Sequence, residues 1–321
     1  MEKPVLATAP AKLYALLLKV RPIERGSIMP FSGELVHGAW LNWIRDAAPD
    51  VATMLHDGNK RRLFTCSSLL FPLSSQRLQH LERENVHVPL DPEKTYALRL
   101  TLLLGELFPL FYNTLLHFNM AALGKREQAF IKIGKQSFVL EEVVITGNDA
   151  SPWIGVTSFA QLLEEAQALK LKRAHALTLL FDSLTTFNRS NLRGDSYEKH
   201  YARLPFPQYV FPGLARRWQE LAPPELAGIV QKELIERYIE DEGMVIDDYE
   251  LKTHYVSFVR HPQKGFVGSC TYHLRGPDDN TAPEYPLSIR QQILLLARFA
   301  FYTGCGYKTT MGMGRVRAIE G

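Results

Sequence analysis

The chain has 321 residues, 46% of them hydrophobic and 22% charged, enough for two ordinary folded domains. A formal net charge of +3 and a pI near 8.6 do not demand a nucleic-acid partner, although they leave room for a local basic face. Cys66, Cys270 and Cys305 lie far apart without a CxxC pair, and no early apolar run has the length or flanks of a secretory signal or a membrane span, so a reducing, cytoplasmic setting with no membrane contact is expected.

Lys12–Val20 is a short apolar run closed by a proline and reads as a strand. Ser32–Asp46 places apolar residues at helical spacing, with Ser32 as the expected cap. Phe64–Phe71 and Thr95–Leu103 read as strands. The stretch GELFPLFYNTLLHFNM reads as a helix whose Pro109 falls early enough to be tolerated, and Gln136–Ile145 as a strand. The order is β-α-β-β-α-β, the ferredoxin-like arrangement.

After a connecting helix over Ser158–Leu169 the order repeats. His175–Phe187 reads as a strand, Arg189–Phe206 as a polar loop, and Phe211–Glu240 as helical with a break near Pro223-Pro224. HYVSFV and FVGSCTYHL form an expected hairpin in which Gly265 supplies the turn. Leu287–Tyr302 is the strongest helix and RVRAI the last strand. The expected fold is α+β, with two tandem ferredoxin-like, RNA-recognition-type domains at 1–150 and 151–321.

Between that last helix and strand the chain reads GCGYKTTMGMGRVR, Gly304 to Arg317. It is not a phosphate loop of the G-x-x-x-x-G-K-[ST] kind, because a helix precedes it and a strand follows. The spacing of Gly304, Gly306, Gly312 and Gly314 does not match a dinucleotide fingerprint either. Two readings stay open. The glycines end the helix and permit close backbone packing, or the loop's N–H groups, with Lys308, Arg315 and Arg317, approach phosphates of a polymer. Arg315 and Arg317 are two apart and should share one face of a strand. Arg290 and Arg298 would extend the footprint.

The same segment resembles the glycine-rich signature of the repeat-associated RNA-binding proteins of CRISPR systems. MPFSGELVHGAWLNWI followed by DVATMLHDGNKRRLFTCSSLL is similar to the start of their CRISPR repeat endoribonuclease branch. There a histidine-bearing helix precedes an LH-[DE]-like turn and an "fTvSpL" strand, here His37, Leu55-His56-Asp57 and Phe64–Leu69. HALTLLFDSLTTFNR is similar to the branch's "leFltPtrfr" strand, with Asp182-Ser183-Leu184 departing from its polar-proline part. The resemblance implies cutting of a precursor transcript within each repeat without metal or cofactor, leaving 2′,3′-cyclic phosphate and 5′-hydroxyl ends. It implies repeat RNA as partner, in hairpin or single-stranded form, with a surveillance complex and a homodimer as further candidate associations.

Such chemistry uses the RNA's own 2′-OH as nucleophile and needs a proton acceptor, a proton donor and cations around the phosphoryl group. The resemblance makes His37 the candidate general base. His56, Arg21, Ser151 and Ser158 are candidate companions, each with a structural reading beside it: a helix-end histidine, a solvated strand-end charge, loop or cap serines. The lysine found shortly after the histidine in some members has no match here, Arg45 being the nearest basic residue. Arg189 and Arg193 in the polar loop are candidate RNA contacts, with Tyr197, Tyr201 and Phe206 as candidate stacking rings. Lys60-Arg61-Arg62 and Lys170–Arg173 read equally well as solvated patches. His175, His254, His261 and His273 lack metal-site spacing. The alternative function is a noncatalytic repeat-RNA-binding subunit; a third is a structural pair of domains in which the glycine loop is only a hinge.

Overall fold

The computed structural model describes residues 11–47, 63–113, 130–146, 151–169, 175–188, 201–258, 261–276 and 286–319. The chain forms β1 (Lys12–Pro22), β2 (Gly26–Ile28), α1 (Gly33–Ala47), β3 (Phe64–Cys66), α2 (Ser75–Arg83), β4 (Val88–Leu90), β5 (Tyr96–Leu102), β6 (Phe130–Ile133) and β7 (Gln136–Val144). Next come β8 (Gly155–Ser158), α3 (Phe159–Gln167), β9 (Ala176–Thr185), β10 (Phe187–Asn188), β11 (Tyr201–Ala202), α4 (Pro207–Leu221), α5 (Pro224–Ala227) and α6 (Lys232–Glu240). The last elements are β12 (Met244–Val256), β13 (Gln263–Leu274), α7 (Ile289–Thr303), a 3-10 turn at Thr309–Met311, and β14 (Val316–Ile319).

Leu13, Ala15, Leu16, Leu18 and Val20 are all buried, as suits a central strand. β1 pairs with β5 on one side and with β7 and β8 on the other; β3 lies outside β5 and β6 outside β7. A second sheet runs β12-β13-β9-β14. Every pairing in both sheets is antiparallel, and helices pack against them, so the fold is α+β. Taking β1, β3, β5 and β7 as first to fourth, the first sheet contains the order 2-3-1-4, and β9, β12, β13 and β14 give the same order in the second. Trp218 of α4 is fully buried, edge-on to Phe159 of α3 at 5.1 Å and to Phe299 of α7 at 5.3 Å, so the connecting helix is joined to the second sheet's helices by rings.

Several expectations change. Ser32 precedes α1, but its hydroxyl accepts the Leu69 N–H at 2.9 Å, tying the helix start to the chain after β3. β3 ends at Cys66, and at Ser67 the N–H still donates to Arg99 O at 2.9 Å while the side-chain Oγ accepts the Arg99 N–H at 2.9 Å. Gly265 does not form the hairpin turn; it lies in β13 opposite His254, where a Cβ would fall 2.3 Å from the Thr185 carbonyl oxygen. The helix expected after Gly105 is seen over residues 107–113, and its remainder lies outside the described residues. α7 starts at a capping box not singled out from the sequence, formed by Ser288 and Gln291.

The two ends of the chain meet at α1. A Cβ on Gly33 would sit 2.1 Å from the Met311 carbonyl oxygen, and one on Gly312 would sit 3.0 Å from Gly33 Cα. Alanine normally stabilises a helix over glycine by about 1 kcal/mol. Here Gly33→Ala should instead lower stability, by about 1–3 kcal/mol as for an overpacked core. Urea or thermal unfolding checks this, and a raised midpoint would refute the contact.

Candidate nucleic-acid interface

α7 ends where Gly304 adopts φ 65°, and Gly306, Lys308, Gly312 and Gly314 follow with φ of 86°, 56°, 88° and 72°. These left-handed residues fold the segment back on itself and onto its neighbours. The N–H groups of Cys305, Tyr307, Met311 and Gly314 donate to Gly314 O, Thr186 O, Lys308 O and Leu184 O at 2.8–2.9 Å. The Arg315 N–H donates to Ser183 Oγ at 2.8 Å. Those amides therefore hold the loop rather than a ligand. What the segment offers outward is side chains. Lys308 Nζ lies 3.6 Å from the centre of the Phe258 ring, and Tyr307 stands beside Tyr201 at 5.6 Å.

His37 lies one helical turn beyond Gly33. It is half-buried, its ring stacked on Phe64 with centroids 5.6 Å apart and planes 17° from parallel. The 3-10 turn of the glycine segment packs against both α1 and β3, and the Cys66 thiol donates to Thr310 O at 2.8 Å. The fold thus brings the candidate base and the glycine segment, from opposite ends of the chain, to one place.

Beside them is a cluster of cations around one indole. Arg315 and Arg317 lie over the Trp153 ring at 5.0 and 5.3 Å, so they do share a face. Arg99, only 4% exposed, lies 4.7 Å from the Phe301 ring and 5.7 Å from Trp153. Its guanidinium donates to the carbonyl oxygens of Trp153 and Phe301 at 2.8 and 2.7 Å. Burial, and then the nearby Arg315 cation, push Arg99 down to about 9, which leaves it charged at neutral pH. Asp182 pairs with Arg315, whereas Arg317 has no ion-pair partner among the described residues. Trp153, Asp182, Arg315, Ser68 and Gly312 line a cleft of about 310 Å³ that also receives the buried His254–Glu82 pair. Sequence reasoning passed over Arg99 and Trp153. The available signals were a lone charge inside the apolar run YALRLTLLL and a tryptophan in the Ser-Pro-Trp loop.

The companion candidates fare differently. Phe64, Leu102, Tyr14 and Val156 stand in one cross-strand row. Val156 is three strand spacings from Phe64, about 14 Å. Ser158, two residues beyond Val156, caps α3 by accepting the Gln161 N–H at 3.1 Å, and it does not reach His37. Ser151 Oγ is 3.5 Å from the Trp153 N–H and belongs to the Trp153 loop. Arg21 is seven residues past Tyr14 along β1, roughly 23 Å away. It pairs with Glu141, whose carboxyl the Arg21 guanidinium and the Thr95 hydroxyl hold below the usual range. Arg290 is a correction: it is 3% exposed on the inward face of α7, 3.2 Å from His175 Nδ1, and leaves the surface footprint. Arg298 is engaged by Glu165 at 2.9 Å. His56, Arg189, Arg193, Tyr197, Lys60–Arg62 and Lys170–Arg173 lie outside the described residues. Among the described residues no group of three or more His, Cys, Asp or Glu is arranged to hold a metal ion, and no helix is long and apolar enough to cross a membrane.

No curated protein matches the sequence. Solved structures do match the fold. A Cas6 product complex superposes with a TM-score of 0.70 at 23% identity, over 97% of this chain and 100% of that one. A Thermus thermophilus Cas6 gives 0.61 at 22% identity, over 98% and 100%. A Cas6-related protein from Pyrococcus furiosus gives 0.54 at 12%, over 96% and 99%. In sequence, the Cas6 N-terminal domain family matches residues 12–164, and the CRISPR-associated endoribonuclease Cas6 family matches residues 179–316. With His37 inside the first match and the glycine segment almost wholly inside the second, the chain belongs to the Cas6 family of CRISPR-associated endoribonucleases.

Proposed function

We propose that this protein cuts CRISPR precursor transcripts within their repeats, without a metal ion, by attack of the RNA's own 2′-OH. The observation that carries the reading is the seating of the glycine segment against Gly33, one turn before His37. A histidine is thereby held beside the segment that the family resemblance assigns to repeat RNA. In the reaction His37 takes the 2′-OH proton, the 2′-oxygen bonds to phosphorus, and the bond from phosphorus to the 5′-oxygen breaks. The departing oxygen takes a proton, leaving 2′,3′-cyclic phosphate and 5′-hydroxyl ends. His56 is the candidate donor of that proton. Lys308, Arg315 and Arg317 offset the charge gathering on the phosphoryl oxygens and hold the neighbouring backbone.

The shared 2-3-1-4 strand order supports reading two tandem ferredoxin-like units, 1–150 and 151–321, with β8 of the second crossing back to the first sheet. The partner is repeat RNA, in hairpin or single-stranded form; a surveillance complex and self-association are further expectations from the family. One observation favours the second reading, a noncatalytic repeat-RNA-binding subunit: His37 is half-buried and stacked on Phe64, as a structural histidine would be.

The two readings separate on repeat RNA from the protein's own locus, assayed with chelator present. Cutting should persist, and should stop when the scissile 2′-OH is replaced by 2′-H. His37→Ala should bind nearly normally and cut about 10²–10⁴-fold more slowly. Unchanged cutting removes His37 as base, and binding without cutting by the unaltered protein selects the subunit reading. Arg315→Ala and Arg317→Ala should each weaken binding and reduce the slope of log K against log salt by about 0.7–0.9. An unaltered slope would remove these arginines from the phosphate contacts.

A further inference from the structure

Trp153 sits where three guanidiniums meet, and two of them belong to the candidate RNA contacts. Its ring is stacked on that of Phe301, with centroids 6.0 Å apart and planes 3° from parallel. Arg99, on β5 of the first sheet, fastens the backbone of both by donating to their carbonyl oxygens. The Phe301 carbonyl is open to it because the Cys305 N–H, its partner in a continued helix, donates to Gly314 O instead. The end of α7 thus serves both the glycine segment, which starts there, and the indole.

Arg315 and Arg317, at the start of β14, come to this ring from two clefts. Arg315 lines the cleft of about 310 Å³, and Arg317 lines a larger one of about 640 Å³. The Nε of each is buried and has no hydrogen-bond partner among the described residues. Asp182 also holds Arg315. Among the described residues the Arg317 guanidinium makes no hydrogen bond or ion pair, and Trp153 is the one ring it meets. The indole therefore does for these arginines what hydrogen bonds do elsewhere: it settles where they point. A guanidinium over a ring keeps its outer N–H groups for a phosphate. A free arginine side chain loses much rotamer freedom on binding, and one already held against a ring loses less.

We propose that Trp153, fastened by Arg99, is a positioning residue: it holds Arg315 and Arg317 ready for the RNA backbone and adds affinity through them, not through contact with the RNA. The proposal rests on the reading of those two arginines as phosphate contacts and is independent of cutting.

The test uses full-length protein and repeat RNA carrying 2′-H at the scissile position, so that binding alone is measured. Trp153→Leu should weaken binding about 2- to 10-fold for each arginine it steadies. In a protein already carrying Arg315→Ala and Arg317→Ala, the same change should have little further effect. Trp153→Phe keeps a smaller ring against Phe301, so it should lose less affinity and show the same coupling at smaller size. It carries the test if thermal unfolding shows that the leucine variant does not fold. An equal loss in both backgrounds, as from a ring that touches RNA or from a general loosening of the fold, overturns the proposal. So does a folded Trp153→Leu protein that binds normally while the arginine changes weaken binding. If the arginine changes themselves leave binding unaltered, the phosphate reading falls and the proposal falls with it.

Discussion

The arrangement depends on two residues that have no side chain where they touch. Gly33 at the start of α1 and Gly312 in the C-terminal segment approach so closely that a methyl group on the first would collide with backbone, and one on the second would press on it. Interiors are packed too tightly for such a collision to be absorbed without movement. The Cys66 thiol on Thr310 O and the Ser32 hydroxyl on the Leu69 N–H reinforce the same joint from either side. The candidate site then follows in order: His37 one turn up the helix, Lys308 just before the contact, Arg315 and Arg317 just after it.

The glycine segment owes its composition to folding. The Cys305, Tyr307, Met311 and Gly314 amides close hydrogen bonds with the end of β9, with Thr186 just past it and with the segment itself, and its glycines occupy left-handed conformations that the path requires. Cationic side chains gather beside it, steadied by one indole. Three guanidiniums so close together would repel strongly in an apolar setting. Two backbone carbonyls satisfy Arg99, Asp182 balances Arg315, and the rings of Trp153 and Phe301 take up the remaining faces. The sum over these four side chains remains positive.

Much of this was legible in the chain. Periodicity marked α1 and α7, and apolar runs marked β1, β5, β7 and β9. The two-residue spacing of Arg315 and Arg317 foretold a shared face, and both indeed meet Trp153. Strands such as β2, β4, β6 and β8, of three or four residues, are too short to show a period and exist because a neighbour completes them. Arg290 was readable and misread: it stands with Ile293 and Ala297 on the buried stripe of α7. Ser32, Ser67 and Gly265 were beyond the pattern. Their roles are set by partners distant in sequence, the N–H groups of Leu69 and Arg99 and the carbonyl of Thr185.

β8 has one more bearing. The first five residues of β1 have no partner in β7, whose pairing with β1 begins at Leu17; Gly155–Ser158 pairs with the first four of them. The first sheet is therefore closed by a segment that follows its own last strand and leads directly into the connecting helix. During synthesis, or in a fragment ending near residue 150, Lys12–Ala15 would present an open, largely apolar edge of the kind that pairs with other chains. The N-terminal half can complete its sheet only once the chain has started toward the other half, which makes the two halves partners in folding before they are partners at a site.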